Sequence, residues 1–236
     1  MEMFTVRKDN DRGSTGAAWL KSRHSFSFSD YYDSQFMGFG PLRVINEDWV
    51  IPKAGFGTHG HKNMEIITYV LSGELTHKDS LGTGSTIRPG EIQLMSAGKG
   101  ILHSERNNSS AEEVHLLQIW IMPNEMNGKP GYQQKTFPPE EMHNRFRLVV
   151  SPDGAEGSLV MKQDARLLAA RIDAGETILS PLKEGRKYWL QIARGGLDFQ
   201  GQKLESGDGL AIENEQSLLQ VAARQDAEVL LFDLPR

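Results

Sequence analysis

The chain has 236 residues, of which 38% are hydrophobic and 24% charged, a balance that fits a folded globular protein and excludes a disordered one. Its 26 Lys and Arg against 31 Asp and Glu leave a formal charge of −5, and the basic residues are scattered, so a phosphate-tracking nucleic-acid surface is not expected. Cysteine is absent, which excludes disulfide staples, thiolate metal ligands and a cysteine nucleophile.

The first residues, "MEMFTVRKDNDRGSTG", carry charge throughout and lack the apolar core of a leader peptide. No window approaches ~18 consecutive apolar residues, so no spanning helix is expected, and the cytoplasm is the expected location.

Further along, short apolar runs rich in β-branched residues end at Gly, Pro or Asp. They are "MEIITYVLSG", "EIQLMSAG", "HLLQIWIMP", "RLLAARI", "KYWLQIARGG" and "AEVLLFDLP". Such runs predict an all-β protein built as a sandwich or barrel of short strands. Helical periodicity is confined to "PPEEMHNRF" (138–146), where Pro and two early glutamates suit a helix of one or two turns. The order strand, Gly turn, strand, Gly-acid turn, strand, Pro-stopped strand occurs twice, over 69–123 and again over 190–235. That repeat predicts a duplicated β unit. The expected division is an N-terminal domain over 1–135, a linker with a short helix over 136–147, and a C-terminal domain over 148–236.

Two stretches carry chemistry. In "FGTHGHKNME" (56–65), His59 and His61 are two apart, and in "GKGILHSERN" (98–107), His103 and Glu105 repeat that spacing. Residues i and i+2 of a strand share a face. Two such doublets on neighbouring strands would gather three imidazoles and one carboxylate, a donor set for Fe, Mn, Ni, Co, Cu or Zn. Four protein ligands on an octahedral ion leave two positions open for substrate or dioxygen. Gly57, Gly60, Gly98 and Gly100 give the backbone room around these ligands. Because bound imidazoles must be neutral, metal loss is expected as the pH falls through the histidine range.

Glu65 shares the alternation of His59 and His61, which makes it either an outer hydrogen-bonding partner or occasional ligand of the site, or a salt-bridged edge residue. His115 is expected at the edge of the core, with Gln118 and Trp120 on the opposite face and able to line a pocket. His77 and His143 read as surface residues, His24 has no assigned chemical role, and Met64, Met95 and Met122 read as core filling.

The same stretches support a family resemblance. "THGHKNMEIITYVLSGELTH" and "GKGILHSERN" resemble the two cupin motifs, the second through Gly100, His103 and Asn107. With "HSFSFSDYYDSQFMGFGPLRVINED", "MSAGKGILHSE" and "LQIWIMP", the chain resembles the pirin family, close to its bacterial quercetin dioxygenases. The resemblance implies a bicupin of two tandem barrels, with metal in the N-terminal one only. It places the ligand roles on His59, His61, His103 and Glu105, with Glu105 rather than Glu65 as the carboxylate and iron as the foremost metal. It also implies a flavonol-like substrate and dioxygen, ring cleavage with release of carbon monoxide, and Glu105 as proton acceptor. A regulatory protein that binds a protein partner is the alternative.

Three positions depart from the motifs: Lys53 stands where motif one has Gly, Gly98 where motif two has Pro, and Asp33-Ser34 where Asp-Pro is common. Aligning Gly73 with Gly195 puts Pro181 and Lys183 where His59 and His61 stand, and no histidine follows His143. The second copy is therefore expected to be degenerate and to hold no equivalent site.

Overall fold

The computed structural model describes residues 4–213 and 218–236. The chain divides into two compact units, one of residues 13–136 and 161–163, the other of residues 137–160 and 164–236 with the segment ending at Arg12. All six apolar runs singled out above are strands.

Strand β1 (Phe4–Arg7) belongs to the C-terminal unit and is considered with it. The N-terminal unit runs β2 (Gly13–Ala17), β3 (Leu20–His24), β4 (Leu42–Val50), β5 (Gly55–His61), β6 (Glu65–Ser72), β7 (Leu75–Asp79), β8 (Gly84–Ile87), β9 (Glu91–Ser96), β10 (Ile101–Arg106), β11 (Val114–Ile121) and β12 (Gly131–Thr136). Seven of these form one sheet in the order β12-β9-β6-β11-β4-β3-β2, and four form a second, β5-β10-β7-β8. The central strands β6 and β11 are buried along almost their whole length. Strand β10 alternates strictly, with Ile101, His103 and Glu105 turned inward. The inward faces of β10 and β5 meet the large sheet, since Gln118 of β11 bonds Glu105 of β10 and the Trp120 ring lies against His61 of β5. Val50, Val70, Leu75, Ile87, Val114 and Leu116 form one apolar cluster, and Ile66, Met95, Ala97 and Ile101 form a second. Each fully buried aliphatic side chain of this kind contributes roughly 1.5–3 kcal/mol. Of the three methionines expected in the core, Met95 is fully buried and Met64 packs on the second cluster. Met122 is 43% exposed because it follows the last residue of β11.

A single helical turn, α1 (Pro139–Met142), starts after Pro138 and stops at His143, which is extended. The C-terminal unit continues with β13 (Arg147–Ser151), β14 (Leu159–Val160), β15 (Arg166–Ile172), β16 (Thr177–Pro181), β17 (Arg186–Phe199), β18 (Gln202–Glu205), β19 (Gly209–Glu213) and β20 (Leu218–Pro235). Its sheet has the order β1-β19-β17-β20-β15-β13-β14, with β16 beside β20 and β18 beside β17. Strand β1, read from the sequence as N-terminal-domain chain, pairs with β19, and Phe4 packs edge-on to Phe199 at 5.0 Å. Its two apolar residues, Phe4 and Val6, pack against the apolar cluster of that unit. Pro181 ends β16, and Pro181 and Lys183, the residues aligned with His59 and His61, carry no imidazole or carboxylate.

Candidate metal centre

Strands β5 and β10 pair antiparallel, with His103 opposite His59 and Ile101 opposite His61. Opposed residues share a face, so the three imidazoles converge. Their ring centroids are 4.4 Å (His59–His103), 4.8 Å (His59–His61) and 4.8 Å (His61–His103) apart. One nitrogen from each ring lies within 4.8 Å of the others.

The Nε2 atoms of His59 and His103 are 3.0 Å apart. Two ligands about 2.1 Å from one metal and at right angles to each other are about 3.0 Å apart, so this spacing fits neighbouring corners of an octahedron. Proton placement fits as well. The Gly57 carbonyl oxygen lies 2.8 Å from His59 Nδ1, so Nδ1 carries the hydrogen and Nε2 keeps its lone pair for the centre.

Burial, with the neighbouring His59, lowers His61 to about 4, and burial together with His59, His61 and His77 lowers His103 to about 3. Both are therefore neutral, as metal binding requires, well below the ordinary histidine range. Acid release of metal is accordingly expected nearer pH 4 than pH 6, as metal content after dialysis against chelator at graded pH will show.

Glu105 is placed differently from the simple four-ligand expectation. The β5–β10 register slips between His103 and Glu105, so Glu105 faces Phe56 and the strand β5 has one extra residue. This bulge keeps Glu105 beside His103 but out of the tight three-histidine group. Its carboxylate joins His103 and His77 in a second cluster of three groups within 4.8 Å of one another. Glu105 is 3% exposed, and Gln118 Nε2 donates to both of its oxygens at 3.1 Å. Burial raises its carboxyl to about 7 although the Gln118 bond opposes the shift.

Glu65 does not face the histidines. Asn63 takes the left-handed conformation (φ 53°) and breaks the strand after His61, so Glu65 starts β6 in the other sheet. It is buried, neither an outer partner of the site nor an edge residue. Its Oε2 accepts from Ser96 Oγ (2.8 Å) and the Lys162 backbone N–H (3.3 Å).

His77 is not a surface residue either. It is fully buried against His103, with ring centroids 5.3 Å apart, because β7 is the other neighbour of β10. His143 is exposed and bonded to Asp173 at 2.7 Å. His115 stacks on Trp49 at 4.4 Å with its Nε2 2.8 Å from Glu47 Oε1.

A cavity of about 570 Å³ opens onto His59, His61 and Glu105. That is within the roughly 300–1,000 Å³ of small-molecule sites. Trp19, Phe28, Phe56 and Trp120 give it aromatic walls, and Ser22, His24, Asn46, Asp48 and Gln118 give it polar ones. His24 sits with Nδ1 2.7 Å from Asn46 Oδ1 and Nε2 2.7 Å from Thr15 Oγ1. Of this polar wall, sequence reasoning named Gln118 alone. The signal for the rest was the alternating Asn46 and Asp48 inside an apolar strand, a pattern that also describes a solvated face.

Asp48 accepts a hydrogen bond from Ser22 Oγ, and its carboxyl is raised from 3.8 to about 7, chiefly by burial and also by Glu105 and Glu47. The folded state keeps this proton where the unfolded chain has released it. The stability involved is fully present below about pH 4 and is lost as the pH rises through 7. Metal-free Asp48→Asn protein should therefore be more stable than the parent at pH 8, by roughly 2–4 kcal/mol. The difference should close near pH 4 in thermal melts, and a pH-independent difference would rule out the raised carboxyl.

The family described as Pirin matches residues 5–121, and the family described as Quercetinase C-terminal cupin domain matches residues 148–234. The chain is 47% identical over 233 residues to the quercetin 2,3-dioxygenase of Escherichia coli (strain K12), covering 99% of each. It is 40% identical over 230 residues to a pirin-like protein of Caulobacter vibrioides, covering 96% of this chain and 98% of that one. The crystal structure of YhhW from Escherichia coli superposes with a TM-score of 0.94 at 47% identity, covering 99% of this chain and 98% of that one. The structure of bacterial pirin YhhW in complex with nickel(II) superposes with a TM-score of 0.93 at the same identity, covering 99% of each. Matched through both of its β units, this all-β, two-cupin chain belongs to the pirin family.

Proposed function

We propose that the protein is a metal-dependent dioxygenase of the quercetin 2,3-dioxygenase type, opening a flavonol ring with dioxygen and releasing carbon monoxide. The observation that carries this reading is the convergence of three imidazoles, beside a buried and protonatable Glu105, on the wall of an aromatic-lined cavity. His59, His61 and His103 would hold one divalent transition metal, with Glu105 as the carboxylate next to it. The metal would supply a Lewis-acidic, redox-capable centre at which a phenolic hydroxyl and dioxygen meet. Iron is the proposed resident. Nickel, seen in the bacterial pirin complex, and Mn, Co, Cu or Zn also suit the donor set.

The chain's own residues do the rest. Trp19, Phe28, Phe56 and Trp120 exclude water and give a planar polyphenol its contact surface. Ser22, Asn46 and Asp48, which line the same cavity, offer hydrogen bonds to its hydroxyls. Glu105 Oε accepts the proton of the reacting hydroxyl, and the Gln118 amide holds that carboxylate in place.

Similarity to a quercetin 2,3-dioxygenase and to a pirin-like protein favours this enzymatic reading, and the partner-binding alternative is not carried further. A cytoplasmic location belongs to the proposal and is read by cell fractionation. Protein loaded in turn with each metal should consume dioxygen and bleach quercetin with at least one of them. A stoichiometrically loaded protein that neither consumes dioxygen nor binds quercetin, whatever the metal, would overturn the proposal.

A further inference from the structure

A third doublet lies beside the two that carry the predicted ligands. In the four-stranded sheet, β7 pairs with β10 on the side away from β5, setting His77 opposite Glu105 and Asp79 opposite His103. His77 Nε2 is 3.0 Å from Asp79 Oδ2, and both side chains are shut off from solvent. Asp79 Oδ1 accepts the backbone N–H groups of Leu81 (2.8 Å) and Thr83 (3.1 Å). Burial pushes the Asp79 carboxyl up, but the bonds from His77, Thr83 and Leu81 outweigh it and hold the group below its ordinary value.

Because Asp79 already accepts the N–H groups of Leu81 and Thr83 and faces His77 Nε2 as a further acceptor, the arrangement of hydrogens follows step by step. His77 Nε2 donates to Asp79, so His77 Nδ1 carries a lone pair. That lone pair lies 3.5 Å from His103 Nδ1, at the long end of the hydrogen-bond range, and 3.2 Å from Gln93 Nε2. His103 Nδ1 therefore keeps its hydrogen, and its Nε2, 3.0 Å from His59 Nε2, presents its lone pair to the centre. With its one lone pair shared between the N–H groups of Gln93 and His103, His77 Nδ1 acts as an acceptor and not as a fourth nitrogen ligand. A carboxylate–imidazole pair behind a ligating histidine fixes its tautomer and raises its basicity.

We propose that Asp79 and His77 are positioning residues: a buried relay that locks His103 in its ligating tautomer and so sets the metal affinity of the site. The inference rests on the reading of the three-histidine group as a metal site.

The test measures nickel(II) affinity by competition with a chromophoric chelator, together with the visible spectrum of the cobalt(II)-loaded protein and the melting temperature of the metal-free protein. Wild-type protein should take up one equivalent of nickel. His77→Phe, which keeps a ring but removes the acceptor, should weaken binding by about 10–100-fold and shift the cobalt spectrum. Asp79→Asn should weaken binding several-fold. His77→Gln, whose Oε1 can accept from His103 Nδ1, should recover most of the loss. Should His77→Phe fail to fold, the Asp79→Asn and His77→Gln pair decides the matter.

Nickel affinity within twofold of wild type in both His77→Phe and Asp79→Asn, with unchanged cobalt spectra, overturns the relay. So does an equal loss in His77→Gln and His77→Phe, which would make His77 a packing residue. Failure of wild-type protein to bind nickel would strike the metal reading itself, and the relay with it.

Discussion

His103→Ala protein is expected to purify without its metal and to leave dioxygen untouched in the presence of quercetin. His103 is the residue that both side-chain clusters share: its Nε2 faces His59 and its Nδ1 faces His77. It is also the most deeply buried of the three imidazoles in the tight group, so no water can stand in for it at low cost. Removing it leaves two half-buried imidazoles on one strand, with Glu105 separated from them by the bulge. The affinity loss should exceed the roughly 100-fold ceiling typical of outer-shell partners. His115→Ala is the matched control. It removes a partly buried histidine that stacks on Trp49 and bonds Glu47, contacts that involve none of the four proposed ligands. Elemental analysis of both proteins, followed by dioxygen uptake, reads the result. Parental metal content and turnover in His103→Ala would remove the three-histidine group from the chemistry.

The strands were legible because short β-branched runs stopped by Gly, Pro or Asp have few alternatives to a sheet, and all six became strands. The three converging histidines were legible because i, i+2 spacing fixes a shared face once a strand is granted. What lay beyond was set by pairing between distant segments. His77-Lys78-Asp79 has the same spacing as the other two doublets, yet its meaning depends on β7 lying against β10, which no local pattern encodes. Glu65 was misread because the alternation was carried through Asn63, whose left-handed conformation resets the parity. Lys53, an apparent departure from the cupin motif, has φ 63°. The backbone there keeps the turn that a glycine would make, at a cost of roughly 1–2 kcal/mol for a residue with a side chain. Gly98 takes φ 47°, and a Cβ there would come within 2.2 Å of the Gly128 carbonyl oxygen, which explains why the position admits so small a residue.

Glu105→Gln should separate metal retention from turnover. If Glu105 served only as a fourth ligand, activity would fall in proportion to metal content and excess metal would restore it. The geometry argues for a second duty. Glu105 stands at the edge of the three-histidine group, opens onto the cavity, and is raised to about 7 by burial, near the pH at which a general base works best. Glutamine keeps the shape and can still pair with the Gln118 amide, but it cannot take up a proton. The expected result is a 10²–10⁴-fold fall in kcat, the usual worth of a positioned base, with most of the metal still held by His59, His61 and His103. Raising the metal concentration should not rescue it. Gln118→Leu should give a milder loss, since the carboxylate remains but loses the donor that holds both of its oxygens. Full turnover in metal-loaded Glu105→Gln would assign the proton to another group. Asp48 is the candidate left standing on the same cavity, because it too is a buried carboxyl raised to about 7.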